Sequence, residues 1–175
     1  MDMPASLFPL IILLFCLQIS CNVVTRKEAL DIHNTIVAIN DSLYLRSREY
    51  GALVSAAFRS KNYGPLKPAR ISFERFIDSS RQSMGSMHDA GGSEKLRTCE
   101  LQLLALERQL IETDFSPFER LPDTADNEAV AAIYDSIKKD AKNETELMRQ
   151  LGNLQVQFAR ENGFTLHRIP SLARN

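Results

Sequence analysis

His33, His88 and His167 are the residues of this 175-residue chain best suited to metal or proton chemistry. Their spacing does not serve a metal. A di-iron bundle places a Glu three positions before a His, so that carboxylate and imidazole converge on one helix face. Leu30 and Gly85 occupy those positions before His33 and His88. Closed zinc sites draw on short-spaced pairs of Cys and His, and the chain has no such pairs. Catalysis needs a nucleophile, base or metal in mutual reach, and no local pattern supplies one. The expectation is a protein that is not an enzyme and carries no metal or cofactor.

His33 and Asn40 are more informative. They stand seven residues apart on a helical stretch whose apolar face includes Leu30, Ile36 and Val37. Glu144 lies within the apolar stripe of the last helical segment. Antiparallel packing of the two segments would bring Asn40 and Glu144 to similar depths, within about two turns. A polar layer of His33, Asn40 and Glu144 has two readings. It binds a small ligand, or its members hydrogen-bond one another or water and fix helix register. Phe115, Phe118 and Leu121 fall in a proline-bounded loop at 115–122. They either present an apolar patch to a partner or cap the end of a bundle. Cys99 occupies a seam position among leucines, which reads as a small buried apolar residue. Asn40-Asp41-Ser42 and Asn143-Glu144-Thr145 match the glycosylation pattern, but both fall within predicted helices.

Four helical segments position these residues. Thr25 and Glu28 have the spacing of a capping box, in which hydroxyl and carboxylate each satisfy a free backbone N–H. The first helix is expected over 26–61, with Leu43, Leu53, Val54, Ala57 and Phe58 continuing its stripe. Gly51 interrupts it, which implies a bend or a closely packed backbone. Gly152 on the last helix invites the same packing idea. Residues 62–68 read as a loop, and Pro68 suits the first turn of a second helix carrying Ile71, Phe73, Phe76, Ile77, Met84 and Met87. Ser93 is placed to cap a third helix. There Leu96, Cys99, Leu103, Leu106 and Leu110 alternate three and four apart, a coiled-coil-like seam. The fourth helix is expected over 124–162, with Gly163 as its left-handed terminator. Short connections favour an all-α, antiparallel up-down-up-down four-helix bundle, helices 1 and 4 longer than helices 2 and 3.

The N-terminus tells where the chain lives. An apolar run at 7–17 leads through Gln18, Ile19 and Ser20 to Cys21. This resembles a bacterial lipoprotein signal, in which a cysteine just beyond the apolar segment becomes the lipidated mature N-terminus. A permanent membrane span needs about 20 apolar residues, and this run is shorter. The resemblance implies a signal peptide at 1–20, lipid attachment at Cys21 and a tether at 21–25. The bundle then occupies 26–163 and an irregular tail 164–175. Each buried CH₂ of a lipid contributes about 0.8 kcal/mol, so two or more chains hold firmly. Asn22 after the cysteine leaves transport to the outer membrane open. If Cys21 is not lipidated, the same layout reads as a secreted helical signalling protein, although cytokine bundles need two long crossovers.

Composition narrows the partners. Residues 1–20 hold Asp2 and no Lys or Arg, so the remainder carries 21 residues of each sign. A nucleic-acid binder shows a basic excess or stripe, and none is visible, so no nucleic acid is expected. Among the three cysteines only Cys99 lies in the body, which leaves no internal disulfide framework. Stability must come from the core, which about 150 residues can supply. The whole layout resembles small envelope lipoproteins of bacteria: lipidated cysteine, short tether, helical bundle. That resemblance implies a non-enzymatic role at a membrane with an envelope protein as partner, and the polar layer offers small-ligand sensing as the alternative.

Overall fold

A computed structural model describes residues 8–121 and 127–166; the side chains at 8–25, 127, 129, 130, 132, 134 and 139 fall outside that description. Cys21, where lipid attachment is expected, is among those side chains, and the tail from 167 onward also lies outside. Four α-helices follow in order: α1 at Phe8–Ser60, α2 at Leu66–Ser86, α3 at Glu94–Gln109 and α4 at Asn127–Glu161. A π-helical turn at Leu110–Asp114 and a 3₁₀ turn at Ser116–Arg120 lie between α3 and α4. The described residues form an all-α four-helix bundle, and α1 is its longest helix at 53 residues. Among the described residues, no helix is long and apolar enough to cross a membrane.

The buried face of α1 is Ala29, Ile32, Ile36, Ile39, Leu43, Tyr50, Val54 and Ala57. These recur three and four apart, the period that keeps one face inward. Leu30 and Leu53 stand at the surface instead. Three local signals are used differently from the expectation. The helix runs unbroken through Thr25 and Glu28, so the capping box does not start it. It also runs unbroken through Gly51, where an added Cβ would meet nothing within 4 Å, so no closely packed backbone explains that glycine. Ser93 makes no side-chain cap. Its hydroxyl donates to Asp89 Oδ1 at 2.9 Å and accepts the Ala90 N–H at 3.3 Å, tying the preceding loop.

Both ends of the bundle are closed by specific contacts. At one end, Gly163 turns left-handed (φ 66°), and the Phe164 N–H reaches Ala159 O at 3.0 Å while the Gly163 N–H reaches Arg160 O at 3.3 Å. That is the Schellman pattern, which satisfies the last carbonyls of a helix. Phe164 then packs on Phe158 and on His33. Asn162 Nδ2 donates to Gly91 O at 3.0 Å, fastening α4 to the α2–α3 loop. At the other end, Phe118 is fully buried and meets Phe58 edge-on with ring centroids 5.2 Å apart. Phe115 sits edge-on to Tyr50 at 5.5 Å, and half-buried Leu121 packs on the same core. These side chains cap the bundle and do not form an exposed apolar patch.

Candidate functional site

The site begins with three acids on one stripe. Glu100, Glu107 and Asp114 are spaced by heptads along α3 and its π-helical extension, and all three are buried. A seven-residue step returns to almost the same helix face, so the carboxyls line up among Leu96, Leu103 and Leu110, which are also buried. Leu106, expected on the seam, is only half-buried. Burying a carboxylate is costly unless it is paired or protonated, so each acid needs a partner from another helix.

α1 and α4 supply those partners. Asn40 Nδ2 donates to Glu100 Oε2 at 3.0 Å and to Ile36 O at 3.0 Å. Glu144 shares a hydrogen bond with Glu107. Ser136 Oγ donates to Asp114 Oδ1 at 3.0 Å. The pairs 107 with 144 and 114 with 136 run in opposite directions, as antiparallel helices require. Glu100 Oε1 and Asp114 Oδ2 find no hydrogen-bond partner among the described residues.

Of the residues expected in one polar layer, Asn40 and Glu144 do enter this acidic column, but each meets a different glutamate of α3. They do not bond each other. His33 stands apart at the opposite end, its ring tilted on Phe164 at 5.5 Å and its Nδ1 unpartnered. Burial lowers its pKa below the usual histidine value, which keeps the imidazole neutral. Cys99 is buried and directs its thiol to Leu147 O at 3.8 Å. Burial, and then the neighbouring Glu100 charge, push its pKa up, the opposite of what a reactive cysteine needs.

Burial favours the protonated form of the three glutamates. Burial pushes Glu100 up to about 7, and the hydrogen bond from Asn40 pulls partly against that rise. Glu107 is raised by burial, then by the adjacent Glu144 charge and by the hydrogen bond it donates to Glu144. Glu144 is raised by burial and held back by accepting that bond. Two carboxyls in contact cannot both ionise without strong repulsion, so burial and proximity together favour a protonated carboxyl in the Glu107–Glu144 pair.

That pair lines a cavity of about 130 Å³, partly open to solvent. α1 and α4 pack only sparsely on each other, whereas α3 packs far more extensively on α2 and α4. Ser47 and Tyr50 of α1 form one wall, Ile137, Ala141 and Glu144 of α4 another. Glu107, Leu110 and Ile111 form the α3 side, and Phe73 and Phe115 complete it. Tyr50 is buried, and its hydroxyl has no hydrogen-bond partner among the described residues. Its pKa rises to about 12, through burial first and then the Glu119 charge, with Arg70 opposing and Glu74 adding. Beyond Tyr50, Arg70 bridges Glu74 and Glu119, and Arg108 reaches Glu74 at 3.2 Å, Asp78 at 3.3 Å and Glu112 at 3.1 Å. This network ties α2, α3 and the 3₁₀ turn together around the cavity's aromatic end.

Chemically, the cavity offers an apolar body with the Glu107 and Glu144 carboxyl side chains on its wall. No group of three or more His, Cys, Asp or Glu among the described residues is arranged to hold a metal ion. Sequence reasoning missed Glu100, Glu107, Asp114 and Tyr50. The available signal was the heptad run of acids, offset by four from Leu96, Leu103 and Leu110. Comparison with protein-family models, with curated proteins and with solved structures found no match for this chain, so the site stands on its own geometry.

Proposed function

We propose that this chain is a non-enzymatic binding protein of the cell envelope, tethered through lipidated Cys21, that takes a small molecule into the α1–α4 cavity. The observation that carries the reading is the cavity itself, a partly open space of about 130 Å³ with mostly apolar walls and Glu107 and Glu144 among them. Ligand sites are typically apolar clefts with a few convergent polar groups between the helices of a bundle. The envelope location rests on the apolar run at 7–17 and on Cys21 alone.

The test is to fill the cavity. Ala141→Leu adds side-chain volume on the α4 wall of the cavity. The reading expects ligand-induced thermal stabilisation of the parent chain and its loss in the variant. Equal stabilisation of both chains would place binding elsewhere. Intact mass spectrometry of the mature N-terminus tests the tether separately: a diacyl or triacyl adduct on Cys21 is the expected result, and an unmodified Cys21 removes the membrane from the account.

A second reading has one observation in its favour. Leu45 and Leu53 stand exposed two turns apart on the outer face of α1, with Tyr44 beside them. Exposed large apolar residues clustered on one face mark contact surfaces, so an envelope protein partner would dock there and not at Phe115, Phe118 and Leu121. Charge substitution of Leu45 and Leu53 that leaves partner crosslinking unchanged would remove this reading.

A further inference from the structure

We infer that residues 127–150 of α4 form a gate over the α1–α4 cavity, which swings away from α3 as one unit while residues 151–161 stay docked. The inference concerns access to the cavity and rests on the reading of that cavity as the binding site. The three α4 residues that wall the cavity, Ile137, Ala141 and Glu144, all belong to the gate.

Burial divides α4 in two. In its second half, Leu151, Gln155, Phe158 and Ala159 are buried. That half is also fastened at its end. The Schellman turn closes it, Asn162 Nδ2 holds Gly91 O, and Phe164 packs on Phe158 and His33. In the first half no described residue is buried. Its inward stripe of Ile133, Ile137, Ala141, Glu144, Leu147 and Met148 is half-buried throughout. A segment with few buried apolar contacts opens at a lower free energy than the core. Gly152, the residue of α4 with the least helical preference, stands where the two halves meet.

The surface that the gate closes against is also irregular. It includes the π-helical turn at Leu110–Asp114, where Leu110 and Ile111 line the cavity. Such turns are rare and recur at functional sites. Across this junction Ser136 Oγ donates to Asp114 Oδ1 at 3.0 Å, and Glu144 meets Glu107. Ser136 is exposed, so water replaces its bond to Asp114 when the gate opens. α4 packs sparsely on α1, and that seam parts with little loss of contact. Opening uncovers Leu110 and Ile111 while Leu151 and Phe158 keep their places in the core. A lid that moves on a rigid remainder admits a ligand in this way.

Amide hydrogen exchange of the full chain, resolved by residue with NMR, reads the gate without a ligand. Residues 133–147 are expected to share one opening equilibrium and to exchange at least about tenfold faster than residues 151–161. Ser136→Ala removes the bond to Asp114 and is expected to speed exchange of 133–147 by about three- to tenfold, with 151–161 unchanged. Three results would each overturn the gate. One is protection that climbs steadily from 133 to 161, the mark of a fraying helix end. Another is equal protection in both halves. The third is equal acceleration of both halves by Ser136→Ala, the mark of global destabilisation. None of them touches the cavity reading, which is tested by Ala141→Leu.

Discussion

Replacing Glu100 by Gln should make the bundle more stable at neutral and alkaline pH. Glu100 is fully buried, and its carboxyl titrates at about 7 in place of 4.5 because burial disfavours the charged form. In the unfolded chain the proton leaves near 4.5; in the folded chain it stays until about 7. Between those values the unfolded state binds fewer protons, so stability falls as pH rises. The contribution of the protonated carboxyl is fully present below the unfolded value and lost once pH passes the folded one. At about 1.4 kcal/mol per tenfold change, the loss is about 3 kcal/mol. Gln can accept the Asn40 amide hydrogen bond as Glu100 Oε2 does, and it has no proton to lose. Urea unfolding followed by far-UV circular dichroism would compare parent and variant at about pH 5 and about pH 8. The two should agree within about 1 kcal/mol at the lower pH, with the variant ahead by about 3 kcal/mol at the higher. Glu146, whose pKa is lowered to about 2 by Arg149 and Gln150, titrates below this window and does not interfere. A variant that is less stable at pH 8, or that keeps the parent's pH slope, would refute the reasoning.

Other substitutions test the frame. Gly51→Ala should stabilise by up to about 1 kcal/mol, because the helix is regular there and the new Cβ meets nothing within 4 Å; a thermal melt reads this as a rise of about 2–4 °C. Gly91→Ala should destabilise by about 1–3 kcal/mol, since Gly91 has φ 61° and its Cβ would fall 2.1 Å from Asn162 Oδ1. Gly92→Asn at the next position, with nothing within 4 Å and φ 75°, should cost under about 1 kcal/mol because Asn tolerates the left-handed region. Phe118→Ala should cost about 3–5 kcal/mol in urea unfolding, as expected for a fully buried ring that closes the bundle end.

The helix count, their order and the Schellman ending at Gly163 were legible because each rests on local signals: apolar spacing, proline, and a glycine that adopts a positive φ without steric cost. The site was legible only in part. Asn40 and Glu144 stand out as polar residues on apolar stripes, yet their partners Glu100 and Glu107 were hidden. A charged residue on a helix is ordinarily solvated, so a glutamate beside Cys99 or Leu106 passes as an outer position. What puts Glu100 and Glu107 inside is the rotation of α3, which its packing on α2 and α4 sets. The same rotation leaves Leu106 half-exposed. Thr25 and Ser93 show a related limit. Each has the right type and spacing to cap a helix, but the chain before Thr25 is already helical, and Ser93 spends its hydroxyl on Asp89 and Ala90.

The most direct measurement is methyl-resolved NMR of the full chain during titration with small neutral, cationic and anionic molecules. Ile111 and Ile137 report on the cavity, while Ile36 and Ile77, buried elsewhere in the core, serve as internal controls. The account predicts saturable shifts at Ile111 and Ile137 that leave Ile36 and Ile77 nearly unmoved and that vanish in Ala141→Leu. Shifts that spread evenly over all four methyls, or that persist in the filled variant, would contradict a ligand seated between α1 and α4.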